Sequence, residues 1–183
     1  MSITELAPAK LNLTLDVGAR RPDGYHEITS VMQSAALYDV VALETVETDD
    51  IVVECPGTDL PTGPDNLAWK AADVFFRETN IPYTGIFIRL EKKIPSQAGL
   101  GGGSSDAAAV LRGMRRLFSA NVSDEALETM AARVGSDVPY CVRGGTALAR
   151  GRGERLTALS PLPMCWFVIV KPPVAHSTAV MFR

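Results

Sequence analysis

The chain has 183 residues, 46% of them hydrophobic, and a formal net charge of −3. That length suits one large domain or two small ones, with ample material for a buried core. The acidic balance and the scattered Lys and Arg argue against a nucleic-acid partner, whose binding surface would be strongly basic. Three cysteines, Cys55, Cys141 and Cys165, lie far apart and are odd in number. They fit reduced thiols better than a disulfide framework. No Cys/His cluster points to a metal centre. No apolar run approaches the roughly 18 residues of a membrane span, and no basic stretch followed by an apolar one marks a signal peptide.

In chain order, Leu11, Leu13 and Leu15 alternate with Asn12, Thr14 and Asp16. This predicts a strand with one buried face, and it places Lys10 and Asn12 together on the opposite face. The run Arg20-Arg21-Pro22-Asp23-Gly24-Tyr25-His26 is turn chemistry, with Pro beside Asp-Gly. Residues 37–43 and 51–54 read as strands. Asp65-Asn66 can cap a helix whose Leu67, Ala68, Ala71, Ala72, Phe75 and Phe76 form an apolar face. Residues 85–90 alternate Ile86, Ile88 and Leu90, a strand that leads into the most informative segment.

That segment is Pro95-Ser96-Gln97-Ala98-Gly99-Leu100-Gly101-Gly102-Gly103-Ser104-Ser105-Asp106, with an alanine-rich helix expected over residues 107–118. Glycines remove the side chains that would hold a ligand away from the backbone. The first amides of the following helix have no internal partners. A glycine loop that feeds a helix N-terminus is an anion site, with phosphate as its usual guest. It is not a Walker A loop, because Gly103 runs directly into Ser104 with no lysine between them. It is not a Rossmann fingerprint, because the sixth position from Gly99 is Ser104.

Further on, Ser123 is a good N-cap with Asp124 and Glu125 in the first turn. Leu127, Met130, Ala131 and Val134 follow helical spacing, and Gly135 is placed to end the helix. Residues 146–149 read as a hairpin arm that turns at 151–153. Residues 166–170 read as a strongly apolar strand broken by Pro172-Pro173. Strands, then helices, then strands predict an α+β fold or a mixed α/β layer fold, a mixed sheet packed with helices rather than a doubly wound one.

Phosphoryl transfer needs positioning, a cation near the moving group and a base for the attacking hydroxyl. Lys10 is a candidate cation, and as an isolated residue it reads equally as a solvated lysine. Asp137, in Gly135-Ser136-Asp137-Val138-Pro139, is a candidate base or an ordinary turn aspartate. Tyr25 and His26 could hydrogen-bond a substrate, although a lone histidine is more often structural. Spacing alone does not connect these residues.

Four blocks together resemble the GHMP kinases. They are Ala7-Pro8-Ala9-Lys10-Leu11-Asn12-Leu13, Arg21-Pro22-Asp23-Gly24-Tyr25-His26-Glu27, the glycine loop, and Gly135-Ser136-Asp137-Val138-Pro139. The resemblance implies the N-terminal GHMP fold (like the second domain of ribosomal protein S5) over residues 1–157. Residues 158–183 would then open an incomplete C-terminal domain. It implies a cytoplasmic bacterial enzyme of isoprenoid precursor synthesis. Its partner would be a small-molecule substrate, diphosphocytidyl-methylerythritol, with neither nucleic acid nor membrane. Residues Pro95, Ser96, Gln97, Ala98, Gly99, Leu100, Gly101, Gly102, Gly103, Ser104 and Ser105 would bind ATP, and Mg²⁺ would travel with the nucleotide. Asp137 would be the base and Lys10 the charge neutraliser. Asn12, Tyr25, His26 and Phe182 would contact the substrate. The alternatives are another alcohol within the same superfamily, or a nucleotide-binding fragment without catalysis.

Overall fold

The computed structural model describes residues 1–82 and 84–171. Its framework is a six-stranded mixed sheet. Two long antiparallel strands form its spine, β1 (Ser2–Arg20) and β2 (His26–Val46). The turn between them closes with Gly24 N–H donating to Arg21 O and Arg21 N–H donating to Tyr25 O, as Pro22-Asp23-Gly24 predicts. Such length is tolerated because the register shifts at Pro8/Ala9, Asn12/Thr14 and Val17/Arg20, and each shift bends and re-aims the strand.

The second edge of β2 is shared. Its residues Val40–Val46 pair antiparallel with β4 (Gly85–Glu91), and β4 pairs parallel with β3 (Ile51–Glu54). Its residues Ile28–Gln33 pair antiparallel with β5 (Thr146–Gly151), which continues to β6 (Arg155–Ala158). Between these two stretches lies a gap on the β2 edge over residues 34–39. Loops fill it: Ser34 N–H donates to Gly145 O, and Asp39 Oδ1 accepts the Lys93 and Ile94 amides. This gap gives the glycine loop and the last helix their places beside the middle of the spine.

Four helices cover one face. In α1 (Leu67–Glu78), Asn66 Oδ1 caps the Ala68 amide at 2.8 Å, and Ala68, Ala71, Ala72, Phe75 and Phe76 are buried. In α3 (Asp124–Val134), Ser123 Oγ caps Ala126 at 3.2 Å. Gly135 ends α3 as expected, in extended backbone (φ −177°), with its amide donating to Ala131 O. Helix α2 (Gly102–Leu117) crosses the sheet and meets α1, α4 and β1. Its Ala107, Ala108, Ala109, Val110, Leu111 and Met114 have no exposed surface. Burying such side chains at about 25 cal/mol per Å² supplies most of the stabilisation.

Three expectations change. Helix α2 begins at Gly102 and not at residue 107, because Gly101 adopts the left-handed conformation (φ +68°) and turns the chain straight into the helix. Leu13 and Leu15 are 38% and 43% exposed, whereas Lys10 is 7% exposed. Residues 13–20 of β1 are exposed on both faces, Thr14 and Asp16 included, and the register shift at Asn12/Thr14 interrupts the alternation, so the leucine stripe buries no face there. The apolar run 166–170 forms no strand. Trp166 and Val168 are 95% and 93% exposed, and no described strand pairs with them. Apolar alternation becomes a strand only when a sheet edge takes up its amides.

Candidate active site

The glycine loop is tied down at one point. Leu100 is buried with Ala9 and Ile94 in a small satellite cluster, and its carbonyl accepts the Lys10 amide at 2.9 Å. Residues on either side stay accessible, and Gln97, Gly99 and Gly101 all have positive φ. Only glycine fits at 101. A Cβ there would lie 2.6 Å from Lys10 Cγ, and the left-handed backbone already disfavours a side chain. The stem of Lys10 therefore passes directly against the end of the loop.

Helix α2 then presents its first amides, those of Gly102, Gly103 and Ser104, without intrahelical acceptors. The Ser105 amide is already bonded to Gly101 O at 2.8 Å, and the Ser105 hydroxyl donates to Pro8 O at 2.7 Å. Of the two serines, Ser104 is the one with a hydroxyl left for a ligand. Ser105 fastens α2 to β1. An N-cap without a side-chain acceptor suits an anion supplied from outside.

Lys10 and Asp137 meet beside this cradle. Lys10 Nζ lies 3.2 Å from Asp137 Oδ2 and donates to Asn12 Oδ1 at 2.6 Å. Asn12 Nδ2 donates to Ser30 Oγ at 2.7 Å, and that hydroxyl donates to Thr14 O at 2.6 Å. The ammonium is thus buried and oriented by a fixed chain of polar groups, while the Asp137 side chain keeps 31% of its surface exposed. Asp137 stands at the start of a short helix that the sequence did not reveal, α4 (Val138–Arg143), and its carboxylate makes no capping bond there. Arg112 holds α4 in place, donating to Cys141 O and to Leu6 O, each at 2.8 Å. Burial pushes the neighbouring Cys141 thiol up to about 12, so it is no nucleophile at neutral pH.

Tyr25 and His26 sit at the far end of the β1–β2 turn. Tyr25 is 50% exposed, and His26 is half-buried at the start of β2. Glu27 joins this turn to the β5–β6 hairpin. Its carboxylate accepts Arg21 Nη1 at 2.5 Å, the Gly151 amide at 3.0 Å and Arg155 Nη2 at 2.7 Å. In the hairpin, the position of a Cβ on Gly153 would be 3.7 Å from Asp137 Oδ1. The hairpin thereby links the turn to the Lys10–Asp137 pair. Phe182 lies outside the described residues.

Sequence reasoning missed a buried cluster under the loop. Lys92 Nζ bonds both Asp39 and Asp106, and all three side chains are at least nine-tenths buried. Asp106 Oδ1 has no partner among the described residues. Burial pushes the Asp106 carboxyl up to about 7, against the pull of Lys92. One lysine cannot neutralise two buried carboxylates, so the second favours its acid form. Asp39 within the apolar run 37–43 was the available sign of a buried charge. Concave spaces elsewhere on the surface are lined by paired charges such as Arg115–Asp124 and Arg143–Glu128. The chemistry favours the open shelf between the loop and Asp137 over those spaces.

Comparison with known proteins finds relatives of this fold and sequence. The profile of the GHMP kinases N terminal domain matches residues 66–145, from the cap of α1 to the start of β5. The chain is 47% identical over 183 residues to the 4-diphosphocytidyl-2-C-methyl-D-erythritol kinase of Enterococcus faecalis (strain ATCC 700802 / V583). The match covers 100% of this chain and 64% of that protein. Identity to the enzyme of the same name from Pelotomaculum thermopropionicum is 49%, over 63% of its length. The chain thus spans less than two thirds of these relatives. A crystal structure of 4-(cytidine 5'-diphospho)-2C-methyl-D-erythritol kinase superposes with a TM-score of 0.73 at 43% identity. That superposition covers 88% of this chain and 56% of that one. Homoserine kinase from Cytophaga hutchinsonii superposes with a TM-score of 0.69 at 22% identity, a likeness of fold alone.

Proposed function

From the premise that this chain carries the N-terminal domain of a GHMP kinase, we propose that the protein phosphorylates the 2-hydroxyl of 4-diphosphocytidyl-2-C-methyl-D-erythritol. ATP is the donor, and the step belongs to isoprenoid precursor synthesis in the cytoplasm. The observation that carries this reading is the Lys10–Asp137 pair at the end of the glycine loop. Residues 1–157 are the ATP-binding and catalytic domain in this proposal, and residues 158–183 open a second domain.

The loop amides and the start of α2 hold the donor phosphates, with Ser104 as the added hydroxyl. The acceptor alcohol lies between the terminal phosphate and Asp137. As its oxygen bonds to phosphorus and the bond to the ADP oxygen breaks, its proton passes to the Asp137 carboxylate. An alcohol is a poor nucleophile unless its proton has such a destination. Lys10, fixed by Asn12, offsets the charge on the moving phosphoryl and requires no rearrangement to do so. Tyr25 offers a ring face to the cytosine, and His26 lies beside it. Mg²⁺ arriving with the nucleotide would screen the phosphate charge, and it would take few ligands from the protein beyond one or two carboxylates.

Incubation of the whole protein with ATP, Mg²⁺ and the diphosphocytidyl alcohol tests this. The expected result is stoichiometric ADP and a monophosphorylated product. ATP consumption no faster than in the absence of the alcohol rejects it.

A further inference from the structure

Arg152 stands between the turn and the catalytic pair. Its guanidinium carbon lies 4.9 Å from the centre of the Tyr25 ring. The next residue, Gly153, abuts Asp137. Neighbouring guanidiniums on the same surface are matched: Arg21 with Asp23 and Glu27, Arg155 with Glu27. Arg20 and Arg150 are exposed. Arg152 is half-buried, and among the described residues no carboxylate lies within ion-pair distance of its side chain. Asp23 feels its charge only through space. Glu154 bonds the Arg152 amide at 2.6 Å, which fixes the backbone and leaves the guanidinium free.

We propose that Arg152 binds the diphosphate of a nucleotide-linked acceptor and so selects acceptors that carry phosphate charge. The inference rests on the kinase reading above for the identity of that acceptor. Tyr25, Arg152 and Asp137 follow one another along the shelf in the order in which base, diphosphate and alcohol follow one another in the molecule. A planar guanidinium with free donors is the side chain best shaped to pair with phosphate oxygens. Stacking on Tyr25 holds the fork in place and leaves its N–H edges directed outward.

The test compares cytidine 5'-diphosphate with cytidine by titration calorimetry, in the wild type and in Arg152→Gln. The wild type is expected to bind the diphosphate at least about tenfold more tightly than the nucleoside, as a charge-assisted contact to a phosphate warrants. Arg152→Gln should lose most of that advantage while cytidine affinity stays within about twofold. Arg152→Lys, which keeps charge but loses the fork, should fall between them. Three results overturn the proposal: no preference for the diphosphate in the wild type, an unchanged preference in Arg152→Gln, or an equal loss for both ligands. An equal loss would mean that Arg152 merely props Tyr25. Binding is read without turnover, so the proposal stands or falls separately from the phosphorylation assay.

Discussion

The two flanks of the shelf are built differently. On the loop side, Lys92, Asp39, Asp106 and Ser105 are buried and tie α2, the loop and β2 together. On the turn side, Arg21, Glu27 and Arg155 form a surface network, and Arg152 lies over the ring of an exposed Tyr25. Buried ionic groups are costly unless every partner is in place, whereas exposed pairs contribute little to stability. The difference assigns the flanks different tasks. The loop side fixes a donor in one geometry, and the turn side can adjust to an acceptor without endangering the fold. Between them, Lys10 belongs to the first kind and Asp137 to a mixture of both, held through α4 yet reachable by solvent.

Breaking the centre should have the largest effect. Asp137→Ala is expected to lower kcat by about 10²–10⁴-fold, the usual share of a general base. The nucleotide Kd should hardly move, since the carboxylate lies beyond the loop. Steady-state kinetics alongside nucleotide titration would check both halves of that statement.

Next comes the loop flank. Lys92→Met should destabilise the domain by about 3–5 kcal/mol, because it leaves buried carboxylates without a cation. Urea denaturation monitored by circular dichroism measures this. A loss under about 1 kcal/mol would place the cluster among surface-like pairs and would erase the contrast between the flanks.

The pH dependence sharpens the same contrast. The Asp106 carboxyl stands at about 7 in the fold, against an ordinary value of 3.8. The fold therefore favours the acid form. Its contribution is fully present below pH 3.8 and is lost as the pH rises towards and through about 7. Asp106→Asn keeps a neutral side chain at every pH. It should denature at a higher urea concentration than the wild type at about pH 8, with the gap narrowing at about pH 5 and closing only below pH 3.8. A gap that is independent of pH contradicts the account.

The smallest effect on stability belongs to the turn flank. Glu27→Gln should leave the thermal midpoint nearly unchanged, since Glu27 and its arginine partners keep 30–64% of their side-chain surface exposed, but should raise KM for the acceptor by loosening the turn from the hairpin. If KM for ATP rises instead, the division of labour between the flanks fails.

Local chemistry made much of the fold legible. Asn66 and Ser123 cap helices where their side chains suggest, residues 51–54 form a strand, and the hairpin turns at 151–153 as its glycines indicate. What escaped was set by distant contacts. Helix α4 hides behind Pro139, which reads as a breaker although proline suits a first helical turn. Leu13 and Leu15 are exposed because neither face of β1 is covered beyond Asn12. Lys10 and Asp137 are 127 positions apart in the chain, and nothing local says that they meet. Lys92 likewise reads as one half of a solvated pair with Lys93 until Asp39 and Asp106 arrive from other elements.

The central claim is that one substrate can touch both the glycine cradle and the Lys10–Asp137 pair. A crystal structure of the whole protein with a non-hydrolysable ATP analogue tests it most directly. The account predicts the terminal phosphate over the Gly102–Ser104 amides, facing Lys10, with room for one alcohol oxygen about 3–3.5 Å from phosphorus and in reach of the Asp137 carboxylate. A nucleotide whose terminal phosphate points away from Asp137, or one seated elsewhere on the protein, would contradict it.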